Sequence, residues 1–204
     1  MKLLKINLVL FLFMAGFAFG GTVKNYTADL MDINAKRIVG KVYVKEDKLR
    51  MESFDENGKI SNILIVRMDQ KVIYSLNENM NTYVRFLIPE NKLSAYENLL
   101  LMGQGFGITS SINRERQGTE TVNGYRAAKF LTTTTIAIFG EKMTAVSYEW
   151  IAAEFDWPLR TQDDEGTVEM HNIKIETPGD SLFEIPASYK RDSAMEELFK
   201  DMGS

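Results

Sequence analysis

One histidine, no cysteine and 28 carboxylate side chains are what this 204-residue chain offers for covalent chemistry. His171, in Glu169-Met170-His171-Asn172, becomes a general base only if a serine or threonine is brought beside it, and no Gly-x-Ser-x-Gly elbow is present to do that. The spacing Gly103-x-Gly105-x-Gly107 suggests a phosphate loop. It follows a helical pattern instead of a strand, however, and Ile108 stands where a dinucleotide fingerprint needs its third glycine. Asp163-Asp164-Glu165-Gly166 gathers the oxygen ligands calcium takes, but without the spacing of a calcium loop it reads as a solvated hairpin turn. Asp29, Asp32 and Glu52 are not paired as a glycosidase or protease dyad would be. Without cysteine there is no thiol nucleophile, no disulfide and no Cys/His zinc site. The residues assign no catalytic group, no metal and no cofactor, and the chain is read as a non-enzyme.

The elements that would position a site are mainly strands. From Thr22 onward, apolar and polar residues alternate with a period of two: Tyr26, Ala28 and Leu30 on one side against Asn25, Thr27 and Asp29, then Ile38, Gly40, Val42 and Val44. Further runs at residues 49–54, 60–68, 71–76 and 80–88 make six strands before residue 90. Their turns carry turn chemistry, and Asn57-Gly58 predicts a type I′ hairpin. Pro89-Glu90-Asn91 then opens an amphipathic helix with Leu93, Tyr96, Leu99, Leu100 and Met102 on one side. The glycines at 103–107 end that helix, as a hinge or as a plain flexible loop. Strand patterns resume at residues 113–121, 125–139 (after the Asn123-Gly124 turn), 142–151, 157–162 and 167–175. A closing helix over residues 193–202 has Ser193 at the N-cap and Glu196 at the capping-box position. About eleven strands in one meander exceed what a flat open sheet holds. The expected fold is mainly β: a curled antiparallel sheet forming an unclosed half-barrel, with an inserted lid helix and a short C-terminal helix.

Residues 1–20 combine Lys2 and Lys5, an apolar run from 8 to 19, and the small residues Ala18 and Gly20 flanking Phe19. That is the pattern of a secretory signal peptide, with an apolar run too short to span a bilayer. The expected organisation is a signal peptide over 1–20 and a single β domain over 21–204, exported to the periplasm with no membrane span in the mature form. A formal charge of -4 and a pI near 5.2 lack the basic footprint of a nucleic-acid binder.

Several strings occur in order along nearly the whole of this domain: Lys41-Val-Tyr-Val-Lys-Glu-Asp-Lys-Leu-Arg-Met-Glu52, Ile63-Leu-Ile-Val-Arg-Met-Asp69, Tyr74-Ser-Leu-Asn77 with Thr82-Tyr83, Gly118-Thr-Glu-Thr-Val-Asn-Gly-Tyr125 with Lys129, Trp150-Ile151, Trp157-Pro158-Leu159 and Ser181-Leu-Phe-Glu-Ile-Pro-Ala-Ser-Tyr-Lys190. Together they resemble an exported bacterial family related to the LolA-like, outer-membrane lipoprotein-sorting superfamily. Ser188 stands where that pattern has glycine. The resemblance implies an unclosed barrel whose helices lie over a hydrophobic concavity that accepts acyl chains or lipidated proteins, with no catalytic residues. The expected function is then non-enzymatic binding or carriage of lipid or lipoprotein acyl chains by apolar burial. The candidate lining is Leu30, Val42, Met51, Leu64, Val66, Tyr74, Val84 and Phe86, with Leu100 and Phe106 at the lid. The alternative is an envelope interaction or sensor module that binds a protein partner with the same half-barrel and no lipid ligand.

Overall fold

The computed structural model describes residues 22–87, 109–138, 141–155 and 157–201. The expected signal peptide, lid helix and glycine-rich loop, with Leu100 and Phe106, lie outside the described residues. Within them, alternating polarity and short turns produce a meander: β1 (Asn25–Asp32), β2 (Arg37–Lys45), β3 (Lys48–Phe54), β4 (Ile60–Arg67), β5 (Val72–Asn77) and β6 (Thr82–Leu87). The later strands are β7 (Thr109–Val122), β8 (Tyr125–Ile138), β9 (Glu141–Ala152), β10 (Arg160–Gln162), β11 (Thr167–Lys174) and β12 (Lys190–Arg191), followed by helix α1 (Ser193–Asp201).

All twelve strands form one sheet in the order β12-β6-β5-β4-β3-β2-β1-β11-β10-β9-β8-β7. Pairing is antiparallel throughout except for β12, which lies parallel to β6. The sheet is curled and its two edges, β12 and β7, do not pair with each other. Bulges supply bend and twist at several points, because an extra residue on one strand shortens its partner's side of the ladder. Val39 is the extra residue opposite β1, Ser61 opposite β3 and Gln117 opposite β8. On β11 the ladder shifts between Thr27 and Asp29 of its partner, where Asn172 takes a φ of 51°; asparagine tolerates that left-handed conformation better than most residues. Next to the Val39 bulge, Gly40 is required: a Cβ there would stand 2.6 Å from the Glu52 carbonyl oxygen.

The sheet has a core face and a tail face. On the core face Tyr26, Ala28, Leu30, Val42, Val44, Leu49, Met51, Leu64, Val66, Ile73 and Met170 belong to one buried cluster. Phe155 closes its end, standing edge-on to Tyr26 at 5.1 Å and to Tyr125 at 4.9 Å. On the tail face Ile63, Ile65 and Leu76 pack with Phe183 of the short 3-10 turn Asp180–Phe183. The C-terminal segment is thus the cover of this second face.

Four local readings are corrected. Asn123 and Gly124 both have positive φ, as a type I′ turn demands, but at the earlier hairpin only Gly58 does. There the Asp55 carbonyl accepts the Gly58 N–H, and the Asp55 carboxylate accepts those of Asn57 and Lys59. The strand expected over residues 157–162 is reduced to β10, because Pro158 has no N–H to give to a ladder. The helix cap is Asp192, whose carboxylate accepts the Met195 N–H at 3.0 Å. Glu196 closes no capping box; it accepts the Arg85 N–H of β6 at 2.8 Å and pairs with Arg191.

Candidate functional site

Strand register places the expected lining in rows across the core face. One row runs Ala28, Val42, Met51, Leu64, Ser75, Val84. The next runs Tyr26, Val44, Leu49, Val66, Ile73, Phe86. Leu30 lies opposite Gly40 in the row beyond, and Leu30, Val42, Met51, Leu64 and Val66 are all buried in the same cluster. Val84 and Phe86 are half-buried at the β6 end. Tyr74 is corrected: its parity is that of Ile65 and Arg85, so it lies on the tail face, edge-on to Tyr83 at 6.0 Å. Val44, Leu49 and Ile73 share the core face and were omitted from the expected lining, although the alternation of β2 and β3 already carries the first two.

The same face continues through β11 and β10 into β9 and β8, and there its chemistry changes. Register sets Thr161 between Val168 and Glu149, and Thr132 opposite Ser147. Glu149, 1% exposed, accepts from Arg114 Nε and from Thr132 Oγ1, each at 2.8 Å. Thr134 and Ser147 are buried beside them. Thr161 is also buried, and its hydroxyl finds no hydrogen-bond partner. A buried hydroxyl in that state has lost its water without replacement.

On the tail face, cations of β2–β4 fasten the C-terminal segment. Lys45 and Lys48 meet Asp180 at 2.9 and 3.1 Å, and Arg50 donates to the Leu182 carbonyl at 3.1 Å. Arg67 forks onto Asp69 and also reaches Glu184 at 2.7 Å. The hydrogen bonds from Arg67 hold the Asp69 carboxyl below its ordinary range. Burial, then the adjacent Glu52 carboxylate, pushes the Tyr43 phenol up to about 12. Burial and a hydrogen bond to Glu78 do the same for Tyr189, also to about 12.

Beside this anchoring, a depression of about 480 Å³ is lined by Thr27, Asp29, Lys41, Asn172, Ile173 and Lys174. Asn172 Nδ2 donates to Asp29 at 2.8 Å, Lys41 stands 4.0 Å from the same carboxylate, and Thr27 donates to Glu176 outside the lining at 2.9 Å. Across β8, β9 and β10, Lys129 lies over Tyr148 and Trp150 and Arg160 over Trp150, at 4.9, 4.7 and 5.1 Å. The Trp150 indole donates to Glu120 at 2.8 Å.

His171 Nε2 stands 3.3 Å from Glu169, and Glu169 accepts from Arg160 at 2.7 Å. The Asp163 carboxylate accepts the N–H groups of Glu165 and Gly166, so this acidic stretch forms a turn. Among the described residues no group of three or more histidine or carboxylate side chains is placed to hold a metal ion. Among them, too, no helix is long and apolar enough to cross a membrane.

No family model and no curated protein matches this chain. Among solved structures, an uncharacterized conserved protein from Thermus thermophilus is 13% identical, with a TM-score of 0.50 over 83% of this chain and 90% of its own. A candidate exported protein with a YmcC-like fold from Bacteroides fragilis is 12% identical, with a TM-score of 0.35 over 78% of this chain and 99% of its own. The first shares the fold. Neither likeness links the chain to lipoprotein sorting.

Proposed function

We propose that the protein is an exported, non-enzymatic binding or carrier protein for the acyl chains of lipids or lipoproteins, acting in the periplasm. The observation that carries this reading is the pair of apolar rows on the core face, interrupted at Ser75 of β5, which cross six strands of a sheet that does not close. Such a surface takes an alkyl chain without directional bonds, and each methylene buried contributes about 0.8 kcal/mol, offset by the cost of uncovering the face. The signal-like residues 1–20 support export.

The test is mass spectrometry of organic extracts of the purified chain, with titration of a fluorescent long-chain fatty acid into delipidated protein. Co-purified acyl lipid and saturable uptake are expected. A protein that carries no lipid, takes up none and instead retains one envelope protein in pull-down would replace this reading with that of an interaction module.

A further inference from the structure

The core face is divided into an apolar and a polar sector, and the boundary falls at β10. From Thr161, whose row passes Val168 and Asp32, to Met51, whose row passes Ala28, the face crosses four strand intervals and four residues of strand, or ~23 Å at the usual spacings, which is the reach of a long alkyl chain. Beyond Thr161, among the described residues, the buried positions that register assigns to this face are Glu149, paired with Arg114, and the hydroxyl-bearing Ser147, Thr132 and Thr134. The buried apolar residues of the same strands, Val122, Ala127, Trp150 and Ala152, lie at the Asn123 end. Resting on the acyl-chain reading above, we propose that this sector seats the head group of the bound amphiphile, and that the head group is uncharged and hydroxyl- or ester-bearing instead of phosphorylated.

Charge matching selects the class. Glu149 is already neutralised by Arg114 at 2.8 Å, so a phosphate seated beside it would bring an unmatched negative charge against a carboxylate that is 1% exposed. Desolvating a charge without a partner costs far more than desolvating a hydroxyl. The other cations that register assigns to this face, Arg116 and Arg126, are both exposed, and Arg116 donates to Thr119 Oγ1 at 2.8 Å. The Thr161 hydroxyl, 5% exposed and without a partner, is the open position. It can donate to an ester carbonyl or accept from a glycerol hydroxyl, whereas a purely apolar occupant would leave it unsatisfied.

The test compares two probes with one acyl chain, monooleoylglycerol and oleoyl lysophosphatidate, titrated as monomers into the full delipidated protein. Monooleoylglycerol is expected to bind at least about ten-fold more tightly. Thr161→Val removes an unpartnered hydroxyl, so the urea midpoint of the free protein should hold or rise. Its affinity for monooleoylglycerol should fall about five-fold, the worth of one hydrogen bond, with lysophosphatidate unchanged and Thr161→Ser restoring the loss. Equal or tighter lysophosphatidate binding, or a Thr161→Val protein with undiminished preference, overturns the head-group assignment and leaves acyl-chain binding standing. Failure of both probes to bind overturns both.

Discussion

The β1–β6 wing and the β7–β9 wing belong to one sheet yet are stabilised by different means. In the first, strands of six to nine residues bury apolar side chains on both faces, against the core cluster and under the C-terminal segment. In the second, strands of 12 to 14 residues bury Val122, Ala127, Trp150 and Ala152 at the Asn123 end but fill the buried positions further along with Thr132, Thr134, Ser147 and Glu149. Hydrophobic burial is non-directional and tolerates adjustment; buried polar groups are stable only when each one is matched. The first wing should therefore lose stability in proportion to the volume removed, and the second in proportion to the partners removed.

Arg114→Met puts the sharpest strain on that contrast, since it leaves the Glu149 carboxylate buried with its cation gone. A loss of about 3 kcal/mol is expected in urea unfolding. The double variant Arg114→Met/Glu149→Leu should recover much of it, and equal destabilisation of single and double variants would mean that matching is not what stabilises this wing. In the first wing, Met51→Ala should cost about 2.5 kcal/mol, and Val84→Ala, half-buried in the same row, clearly less. Similar losses at the two positions would contradict a graded apolar row. Gly40→Ala is expected to cost about 2 kcal/mol by forcing β2 away from the Glu52 carbonyl; circular dichroism melting would read it, and an unchanged midpoint would show that the bulge absorbs the methyl.

The pH limbs probe how the tail face is fastened. The Asp69 and Glu196 carboxyls are depressed, the first chiefly by hydrogen bonds from Arg67 and the second by those from Arg191. Their stabilisation is present above the unfolded carboxyl range near pH 4 and is lost as pH falls through the lower folded values. Removing the cation in Arg67→Met should therefore shallow the acid limb of urea midpoints. The tyrosine contribution has the opposite direction. Tyr43 and Tyr189 are raised to about 12, so their share is present below pH about 10 and is lost as pH rises toward 12. Tyr189→Phe should flatten the alkaline limb by a smaller amount.

The six early strands and five of the later ones were legible because alternation, β-branching and turn residues agree locally. Tyr74 was not, because Val72-Ile73-Tyr74 is apolar at consecutive positions and both faces of β5 are covered, which erases the parity signal. β12 has only two residues, and β6 decides its pairing. Asp192 takes the cap one residue before Ser193 because the parallel β12–β6 pairing sets where the helix can start. The shared face of Leu30, Val42, Met51, Leu64 and Val66 was legible along β1–β4, where the alternation is regular. The polar sector was not, since threonine suits exposed and buried strands alike and nothing local ties Arg114 to a carboxylate 35 residues away.

The central pairing of β1 with β11 sets an order of events. The strand nearest the beginning of the domain must wait for one made almost last: Thr27 meets Glu176 across a separation of 149 residues. Each meander can fold as its hairpins emerge, yet between the two lies a seam of unsatisfied N–H and C=O groups on β1 that only late residues can close. Non-local strand pairing of this kind is slow and leaves an open edge exposed to other chains. Folding speed and aggregation should therefore respond most to substitutions at the β1–β11 junction, and a chain truncated before residue 167 should collapse into an incomplete, self-associating sheet, even though it retains both apolar rows of the core face.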